Sequence, residues 1–265
     1  MSNIINRLQV NIPFGLLRQG YLDLFLKHHL NPEIGLDATV LDNVSLSEFS
    51  AIATLLNAHK LTVTLHAPFI DLSPGSPDSS IQAATRQRFD QVLRLLPLFQ
   101  PKAVVCHLGY EKRRYSFMKD TWVETSCCLW RWLGNRIAEE GGRLMLENVY
   151  EDDPADIKII FQELAKTNIG FCFDVGHQAV FSAVPLADWI EVLGPYIGEL
   201  HLHDNHGAED EHLSLGHGTI DFPLILNYLR SRKPTPPLLT LEPHKEDHLW
   251  PSLIYLDKMW PWKED

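Results

Sequence analysis

The stretch IGFCFDV, residues 169–175, predicts a short strand with apolar side chains on both faces. A second stretch, AVVCHL at residues 103–108, has the same character. Strands that are apolar on both faces occur in parallel sheets whose two surfaces are covered by helices. These two stretches therefore favour an α/β fold built around a parallel sheet.

Short apolar runs of this kind recur along the chain and alternate with longer segments of helical period. The eight predicted strands are residues 8–13, 33–38, 61–67, 103–108, 143–149, 169–175, 197–203 and 238–242. The predicted helices are residues 45–60, 79–99, 121–140, 154–165, 185–196, 223–231 and 248–260. Eight βα units without a shift in composition predict one (β/α)8 TIM barrel, a single domain over residues 1–265.

A doubly wound open sheet is the alternative architecture. Such a sheet usually has fewer strands and a glycine-rich turn after the first one. Here the first strand runs into IPFGLL, residues 12–17, which lacks that turn. The barrel is therefore the preferred prediction.

The chain carries a net charge of −11. Negative charge repels phosphate backbones, which counts against a broad nucleic-acid contact surface but leaves room for a local basic cleft.

No window approaches the ~20 apolar residues that span a bilayer, and the first residues lack a signal-peptide pattern. We therefore expect a cytoplasmic protein without membrane association, with its four cysteines reduced. Trp250, Trp260 and Trp262 close the barrel or form a homodimer contact, and the sequence leaves both open.

The stretch 197–218, IGELHLHDNHGAEDEHLSLGHG, holds five of the thirteen histidines, together with several carboxylates. Neutral imidazole and ionised carboxylate are the usual nitrogen and oxygen ligands of Zn, Mn and similar cations. An ordinary surface loop has no reason to concentrate them, so the stretch indicates a metal centre.

Six successive predicted strands also end in a ligand-type residue, and in a TIM barrel the active site lies at these strand ends. The residues are His66 (TLHAPF), His107 (VVCHLG), Glu147 (LMLENV), Asp174 with His177 (FCFDVGH), His201 (GELHLHDN) and Glu242 (LTLEPH), and Asp210 and His212 follow on the loop after the seventh strand. Taken alone, a histidine there is more often a hydrogen-bonded structural residue, and a carboxylate more often a helix cap. Six consecutive strands together predict a divalent-metal site.

These motifs resemble the xylose isomerase-like TIM-barrel superfamily, which includes sugar-phosphate isomerases and epimerases and the endonuclease IV group, AP endonuclease family 2. The resemblance covers most of the chain. It rests on HAP at His66, HLG at His107, LEN at Glu147, DVGH at Asp174, HLHDN at His201, DEHLSLGHG from Asp210 and LEP at Glu242.

The sugar-epimerase branch implies that Glu147, Asp174, His201 and Glu242 bind one Mn or similar ion. Glu147 and Glu242 would also be the acid/base pair that moves a proton between adjacent carbons of a sugar or sugar phosphate through an enediolate. His177 would orient substrate hydroxyls, and His203 lies close enough in sequence to contact substrate. This metal-dependent isomerase or epimerase is our first hypothesis.

The endonuclease IV branch implies a zinc phosphodiesterase that cleaves abasic-site or other diesters with three ions. All nine of its ligand positions are filled, by His66, His107, Glu147, Asp174, His177, His201, Asp210, His212 and Glu242. Against it stand Phe69, where the nucleases carry tyrosine, and DVGH, where they usually carry DTCH. The resemblance therefore leaves one to three ions, Zn or Mn, and keeps the phosphodiesterase as the alternative. A metal-dependent binding module is a third hypothesis.

One dense basic cluster in a strand-end loop, Lys112, Arg113 and Arg114, follows His107. Three cations can hold the phosphate of a sugar phosphate or a short diester, but they are a thin platform for a duplex. A charge run of this kind is also common on a solvated loop. We therefore predict a small-molecule substrate and leave nucleic acid as the lesser alternative.

Overall fold

The computed structural model describes residues 4–262, and at its centre eight parallel strands form a closed barrel in chain order. The strands are β1 Gln9–Pro13, β2 Asn31–Gly35, β3 Thr64–His66, β4 Ala103–His107, β5 Arg143–Glu147, β6 Ile169–Asp174, β7 Ile197–Leu202 and β8 Leu238–Leu241. Pairing of β8 with β1 closes the barrel. The predicted (β/α)8 TIM barrel of the α/β class is therefore confirmed.

Helices follow the strands and cover the outside of the barrel. They are α1 Phe14–Leu16, α2 Leu22–His28, α3 Ala38–Asn43, α4 Leu46–Ala58, α5 Ser79–Leu93, α6 Leu96–Phe99, α7 Lys112–Tyr115, α8 Lys119–Glu139, α9 Pro154–Glu163, α10 Val175–Phe181, α11 Leu186–Leu193, α12 Phe222–Arg232 and α13 Glu246–Met259. A π-helical segment, Leu17–Tyr21, joins α1 to α2, and short 3₁₀ turns lie at Ile5–Arg7, Ser116–Met118 and Gly194–Tyr196.

Local sequence signals explain where several helices begin and end. Ser45 and Glu48 form the capping box at the start of α4, since the Glu48 N–H donates to Ser45 Oγ and the Ser45 N–H donates to Glu48 Oε2. The predicted helix 79–99 divides into α5 and α6 shortly before Pro97, because a proline inside a helix removes one hydrogen bond and clashes with the preceding turn.

The barrel encloses a polar layer as well as apolar ones. Glu33, Thr64, Glu199 and Thr240 are all fully buried on four different strands. These side chains hydrogen-bond to one another, since Thr240 Oγ1 donates to Glu199 Oε1 over 3.0 Å and Thr64 Oγ1 donates to Glu33 Oε2 over 3.1 Å. This layer lies one step below the strand ends and supports the residues placed there.

The two chain ends, the cysteines and membrane association bear on the remaining predictions. Residues 1–3 and 263–265 of the predicted single domain lie outside the described residues, so the domain over 1–265 stays a prediction. Trp260 and Trp262 are buried in the chain's own core, and a homodimer also stays a prediction. All four cysteines are unpaired. Within residues 4–262, no helix is long and apolar enough to cross a membrane.

Candidate metal centre

The barrel register brings the predicted strand-end residues side by side. His107 on β4 is the register partner of Glu147 on β5, and Asp174 on β6 is the partner of His201 on β7. Parallel strands all point their carboxyl ends at the same mouth, so residues at these ends converge there. Glu242 belongs to the same edge, because it directly follows β8.

Glu147 lies at the centre of this cluster and is 1% exposed. Its Oε2 atom is 3.0 Å from His66 Nε2 and 3.6 Å from His107 Nε2. Its Oε1 atom is 3.3 Å from His177 Nδ1 and 3.5 Å from His201 Nδ1. One carboxylate thus faces imidazoles on both of its oxygens, so Glu147 is shared by several groups of potential ligands.

A second convergence surrounds Nδ1 of His201. This nitrogen is 3.1 Å from Glu242 Oε1, 3.5 Å from Glu147 Oε1 and 3.9 Å from Asp174 Oδ2. The four side chains are those that we predicted for a single-ion site. Three carboxylates around one imidazole form a hard, oxygen-rich donor set of the kind that Mn and Zn accept.

A third convergence surrounds Asp210 on the loop after β7. Asp210 Oδ2 is 3.2 Å from His212 Nε2 and 3.5 Å from His177 Nε2, and Oδ1 is 3.6 Å from His203 Nδ1. The structure places His203 among the potential donor atoms, and its predicted contact with substrate stays a prediction. Its Nε2 atom is also 3.2 Å from Asp174 Oδ1, so this group joins the other two.

The loop that carries Asp210 is held in place by Asp204. The Asp204 carboxylate accepts hydrogen bonds from the backbone N–H groups of Gly216, Gly218 and Ile220 over 2.9, 2.9 and 3.2 Å. His212 adopts a positive φ of 48°, a left-handed conformation that is uncommon for a residue with a side chain. The loop is therefore fixed in one conformation that turns Asp210 and His212 toward the mouth.

Three of the histidines are oriented by backbone carbonyls. His66 Nδ1 lies 3.0 Å from the Ala67 carbonyl oxygen, and His177 Nδ1 lies 3.0 Å from that of Asn148. His212 Nδ1 lies 3.1 Å from the carbonyl oxygen of Glu242. An Nδ1–H that donates to a carbonyl fixes the tautomer and leaves the Nε2 lone pair available to a cation. Each ring presents its Nε2 atom to a carboxylate of the cluster.

The donor atoms fit a metal ion on their own geometry. Potential ligand atoms lie within 4.8 Å of one another in several overlapping groups, among them His66, His107 and Glu147; Glu147, Asp174 and His177; and His177, His203, Asp210 and His212. Buried atoms without a hydrogen-bond partner include Asp174 Oδ2, His201 Nδ1, His203 Nδ1 and Asp210 Oδ1. Buried polar atoms are rarely left unpaired, so unpaired donor atoms that face one another fit the ligand set of a metal ion.

The pKa shifts show how the imidazoles and carboxylates act on each other. Burial disfavours the charged form of His66, but the Glu147 carboxylate outweighs it and raises the pKa of His66 to about 9. Burial prevails at His107 and lowers its pKa to about 3. Burial opposes ionisation of Asp210, yet the neighbouring His177 and His212 lower its pKa. Protons on the imidazoles therefore balance the carboxylates, and a divalent cation can take their place.

A cavity of about 380 Å³ opens above the cluster. Besides the donor residues, its walls include Phe69, Tyr150, Phe181 and His244. Phe69 is 46% exposed and stacks on His107 with ring centroids 4.1 Å apart. The volume lies at the small end of ligand pockets, which suits a small polar molecule flanked by aromatic rings.

The predicted basic cluster is only partly directed at this mouth. Lys112 Nζ lies 2.9 Å from Asp156 Oδ2 and 3.8 Å from Asp152 Oδ1, so two carboxylates already match its charge. Arg113 is exposed, and Arg114 lies over the Tyr115 ring and lines a neighbouring cavity with His107. Substrate binding by these residues stays a prediction, and the ion pairs of Lys112 do not favour its part in it.

Several residues of the site were not predicted from the sequence, and two of them contact the predicted histidines directly. Glu33 lies beneath His201, and His244 stacks on His212 with ring centroids 3.5 Å apart. A charged residue inside the apolar strand sequence NPEIG was the available signal for Glu33, and the spacing of two residues after Glu242 was the signal for His244.

Comparison with known proteins places this geometry in a family context. A sequence model described as xylose isomerase-like TIM barrel matches residues 32–259. Protein MJ1311 of Methanocaldococcus jannaschii is 25% identical over 183 residues, which are 66% of this chain and 62% of that protein. The chain thus spans less than two thirds of the length of this relative.

Solved structures share the fold over nearly the whole chain. The TTHB071 protein of Thermus thermophilus, from a crystal soaked with ZnCl2, has a TM-score of 0.80 and 23% identity, covering 98% of this chain and 100% of its own. A D-tagatose 3-epimerase-like protein has a TM-score of 0.77 and 21% identity, covering 96% of both chains. At these identities the likeness concerns the fold.

Proposed function

Because the chain belongs to the xylose isomerase-like TIM-barrel family, we propose that it is a divalent-metal-dependent isomerase or epimerase of a small sugar or sugar phosphate. The observation that carries the proposal is the convergence of Glu147, Asp174 and Glu242 on Nδ1 of His201. The likeness to a D-tagatose 3-epimerase-like protein supports the choice of reaction.

Glu147, Asp174, His201 and Glu242 would hold the ion. When bound, the ion would polarise a carbonyl and its neighbouring hydroxyl and so acidify the C–H between them. Glu147 and Glu242 approach His201 Nδ1 to 3.5 and 3.1 Å from two different strands. One carboxylate would remove the proton from the carbon beside the carbonyl, and the other would return a proton to the substrate, so that no atom is gained or lost.

The imidazoles around Glu147 support this proton transfer. His66 Nε2 lies 3.0 Å from Glu147 Oε2, and this carboxylate raises the pKa of His66 to about 9 in the metal-free protein, so His66 would hold a proton beside Glu147 whenever it binds no ion itself. His177 Nε2 faces the cavity side of the cluster near Asp210 and would hydrogen-bond a substrate hydroxyl. The aromatic walls at Phe69 and Phe181 would limit access of water to the reacting carbons.

Solvent isotope exchange tests the proposal. The protein, loaded with Mn²⁺ or Zn²⁺, is incubated in D2O with ketohexoses and their phosphates, and proton NMR follows deuterium entering the carbon beside the carbonyl. Glu147→Gln and Glu242→Gln are expected to abolish exchange. Glu209→Gln, an exposed carboxylate on the same loop as Asp210, is the matched control and should exchange normally. Exchange that survives both ligand variants would contradict the proposal.

One observation favours a second candidate function. Asp210 lies within 3.2 to 3.6 Å of three imidazoles, and a single-ion epimerase needs no such donor group. With further ions held by this group and by His66 and His107, the site would suit a zinc phosphodiesterase, because clustered ions activate water and clamp a diester.

Diester cleavage distinguishes the two candidates. Bis(p-nitrophenyl) phosphate and an abasic-site oligonucleotide are the probes, with zinc- or manganese-loaded protein. Cleavage that Asp210→Asn abolishes would establish the phosphodiesterase, and sugar exchange that survives Asp210→Asn would establish the epimerase.

A further inference from the structure

Glu33 is a buried carboxylate inside the barrel, and we did not predict it as a ligand from the sequence. Its potential ligand atom lies within 4.8 Å of those of His201 and Glu242. It lies on β2 and is 0% exposed. Asn11 Nδ2 donates to Oε1 over 3.1 Å, and Thr64 and Thr240 donate to Oε2 over 3.1 and 3.3 Å. Donors from three other strands therefore hold this carboxylate in one position. Burying an ionised carboxylate this deeply costs folding free energy unless a partner that bears a proton faces it.

The partner is the imidazole of His201. Glu33 Oε1 lies 3.2 Å from His201 Nε2, whereas the contacts of Glu147, Asp174 and Glu242 with this ring are to Nδ1. The opposite nitrogen, Nδ1, faces Glu147 and Glu242 instead. The two nitrogens of one ring thus face different surroundings: the supporting layer on one side and the donor cluster on the other.

His201 is oriented differently from three other histidines of the site. His66, His177 and His212 are each fixed through Nδ1 by a backbone carbonyl and present Nε2. His201 presents Nδ1, and neither of its ring nitrogens has a hydrogen bond of good geometry, to backbone or side chain, within residues 4–262; Nε2 approaches Glu33 Oε1 to 3.2 Å. Glu33 occupies the place that a carbonyl takes beside the other rings.

We propose that Glu33 is a positioning residue: its carboxylate receives the Nε2–H of His201, which fixes that tautomer and turns the Nδ1 lone pair toward the metal position. The inference rests on the metal centre of the proposed function but not on the reaction that the centre performs. A carboxylate behind a metal-bound imidazole orients the ring and increases its basicity, and its loss typically weakens metal affinity by roughly 10- to 100-fold.

Two variants and a matched control test this role. Glu33→Gln keeps an oxygen near Nε2 but removes the charge, whereas Glu33→Ala removes both. Glu199→Gln is the control for a change in the same polar layer. Glu199 is equally buried and shares the Thr240 hydroxyl with Glu33, over 3.0 and 3.3 Å, but among the described residues it has no contact within 4.0 Å of a ring nitrogen of His201. Metal affinity is measured by competition of Mn²⁺ or Zn²⁺ with a chromophoric chelator, and circular dichroism of the metal-free variants confirms folding.

We expect affinity to fall at least about 10-fold in Glu33→Gln and further in Glu33→Ala, with Glu199→Gln within about twofold of the wild type. A second measurement needs no variant: long-range ¹H–¹⁵N NMR of the zinc-loaded wild type should show one histidine bound through Nδ1 and protonated at Nε2. Wild-type affinity in both folded Glu33 variants, or no histidine of that form, would overturn the inference while leaving the metal centre intact. A wild type that binds neither metal would overturn the proposed function as well.

Discussion

Replacing Glu147 by glutamine is the perturbation with the largest expected effect on the site. The two side chains have nearly the same shape, but glutamine carries no charge and offers one oxygen in place of two. Glu147 faces His66 and His107 with one oxygen and His177 and His201 with the other, at 3.0 to 3.6 Å. The substitution therefore affects all the donor groups that share this residue.

The magnitude follows from Coulomb's law. A unit charge about 4 Å from another contributes about 4 kcal/mol at the effective dielectric constant of about 20 that suits protein sites. A divalent ion carries twice the charge, so losing this carboxylate charge would raise its dissociation constant by at least about 10³-fold, since about 1.4 kcal/mol corresponds to tenfold. The pKa of His66, which Glu147 raises to about 9, should fall in the metal-free variant for the same reason.

Chelator competition measures the affinity, and NMR titration of the histidine ring protons measures the pKa. Glu199→Gln provides the control, because it makes the same chemical change at a buried carboxylate outside the donor groups. If Glu147→Gln bound metal as tightly as the wild type, or left the pKa of His66 near 9, Glu147 would not be the shared central residue of the site and our account of it would be wrong.

Three further predictions concern metal number, proton release and stability. Asp210→Asn should lower the number of bound zinc ions per chain by one relative to a multinuclear wild type, as measured by elemental analysis; an unchanged multinuclear count would exclude Asp210 as a ligand. Metal binding at pH 7 should release protons, because the raised pKa of His66 keeps its ring protonated in the metal-free protein. The affinity for metal should therefore rise with pH, by up to about tenfold per pH unit for each proton displaced. Calorimetry in buffers of different ionisation enthalpy measures the released protons, and finding none would contradict this prediction. Burial beside Glu33 raises the pKa of Glu199 to about 8, so the stabilising contribution of protonated Glu199 is complete below about pH 4.5 and is lost as pH rises toward 8. Relative to the wild type, Glu199→Gln should therefore gain stability across that window, by up to about 1.4 kcal/mol per pH unit, as measured by urea unfolding of the metal-free protein. A stability difference that does not change with pH would contradict this prediction.

The strand-end residues could be predicted from the sequence because the barrel converts order along the chain into proximity. His66, His107 and Asp174 each end an observed strand, Glu147 does so on β5, and Glu242 follows β8 by one residue. Parallel strands carry their ends to one mouth whatever the helices between them do. Recognising the strands from their apolar side chains on both faces was therefore enough to place these strand-end residues at one mouth.

The position of Asp210 could not be obtained in the same way. The loop after β7 takes its shape from tertiary contacts, chiefly the Asp204 carboxylate and the left-handed conformation of His212. Neither contact follows from local residue preferences. The sequence indicated that Asp210 could reach the mouth, and the structure places it among His177, His203 and His212.

Glu33 was missed because of a shift in one strand boundary. The predicted strand began at Glu33, where a charged residue ordinarily faces solvent, but β2 begins two residues earlier at Asn31. That shift places Glu33 inside the strand with its side chain in the barrel interior. The helical segment from Phe14 to His28 was missed for a different reason. Its middle, Leu17–Tyr21, is π-helical and therefore departs from the 3.6-residue period by which helices are recognised.

The central claim is that the strand ends of this barrel form a metal centre around Glu147. Anomalous diffraction from crystals of the reconstituted protein, grown separately with Mn²⁺ and Zn²⁺, tests it most directly. We predict an anomalous peak among Glu147, Asp174, His201 and Glu242, within ligand distance of His201 Nδ1. The absence of any peak at that position with both metals would contradict the account.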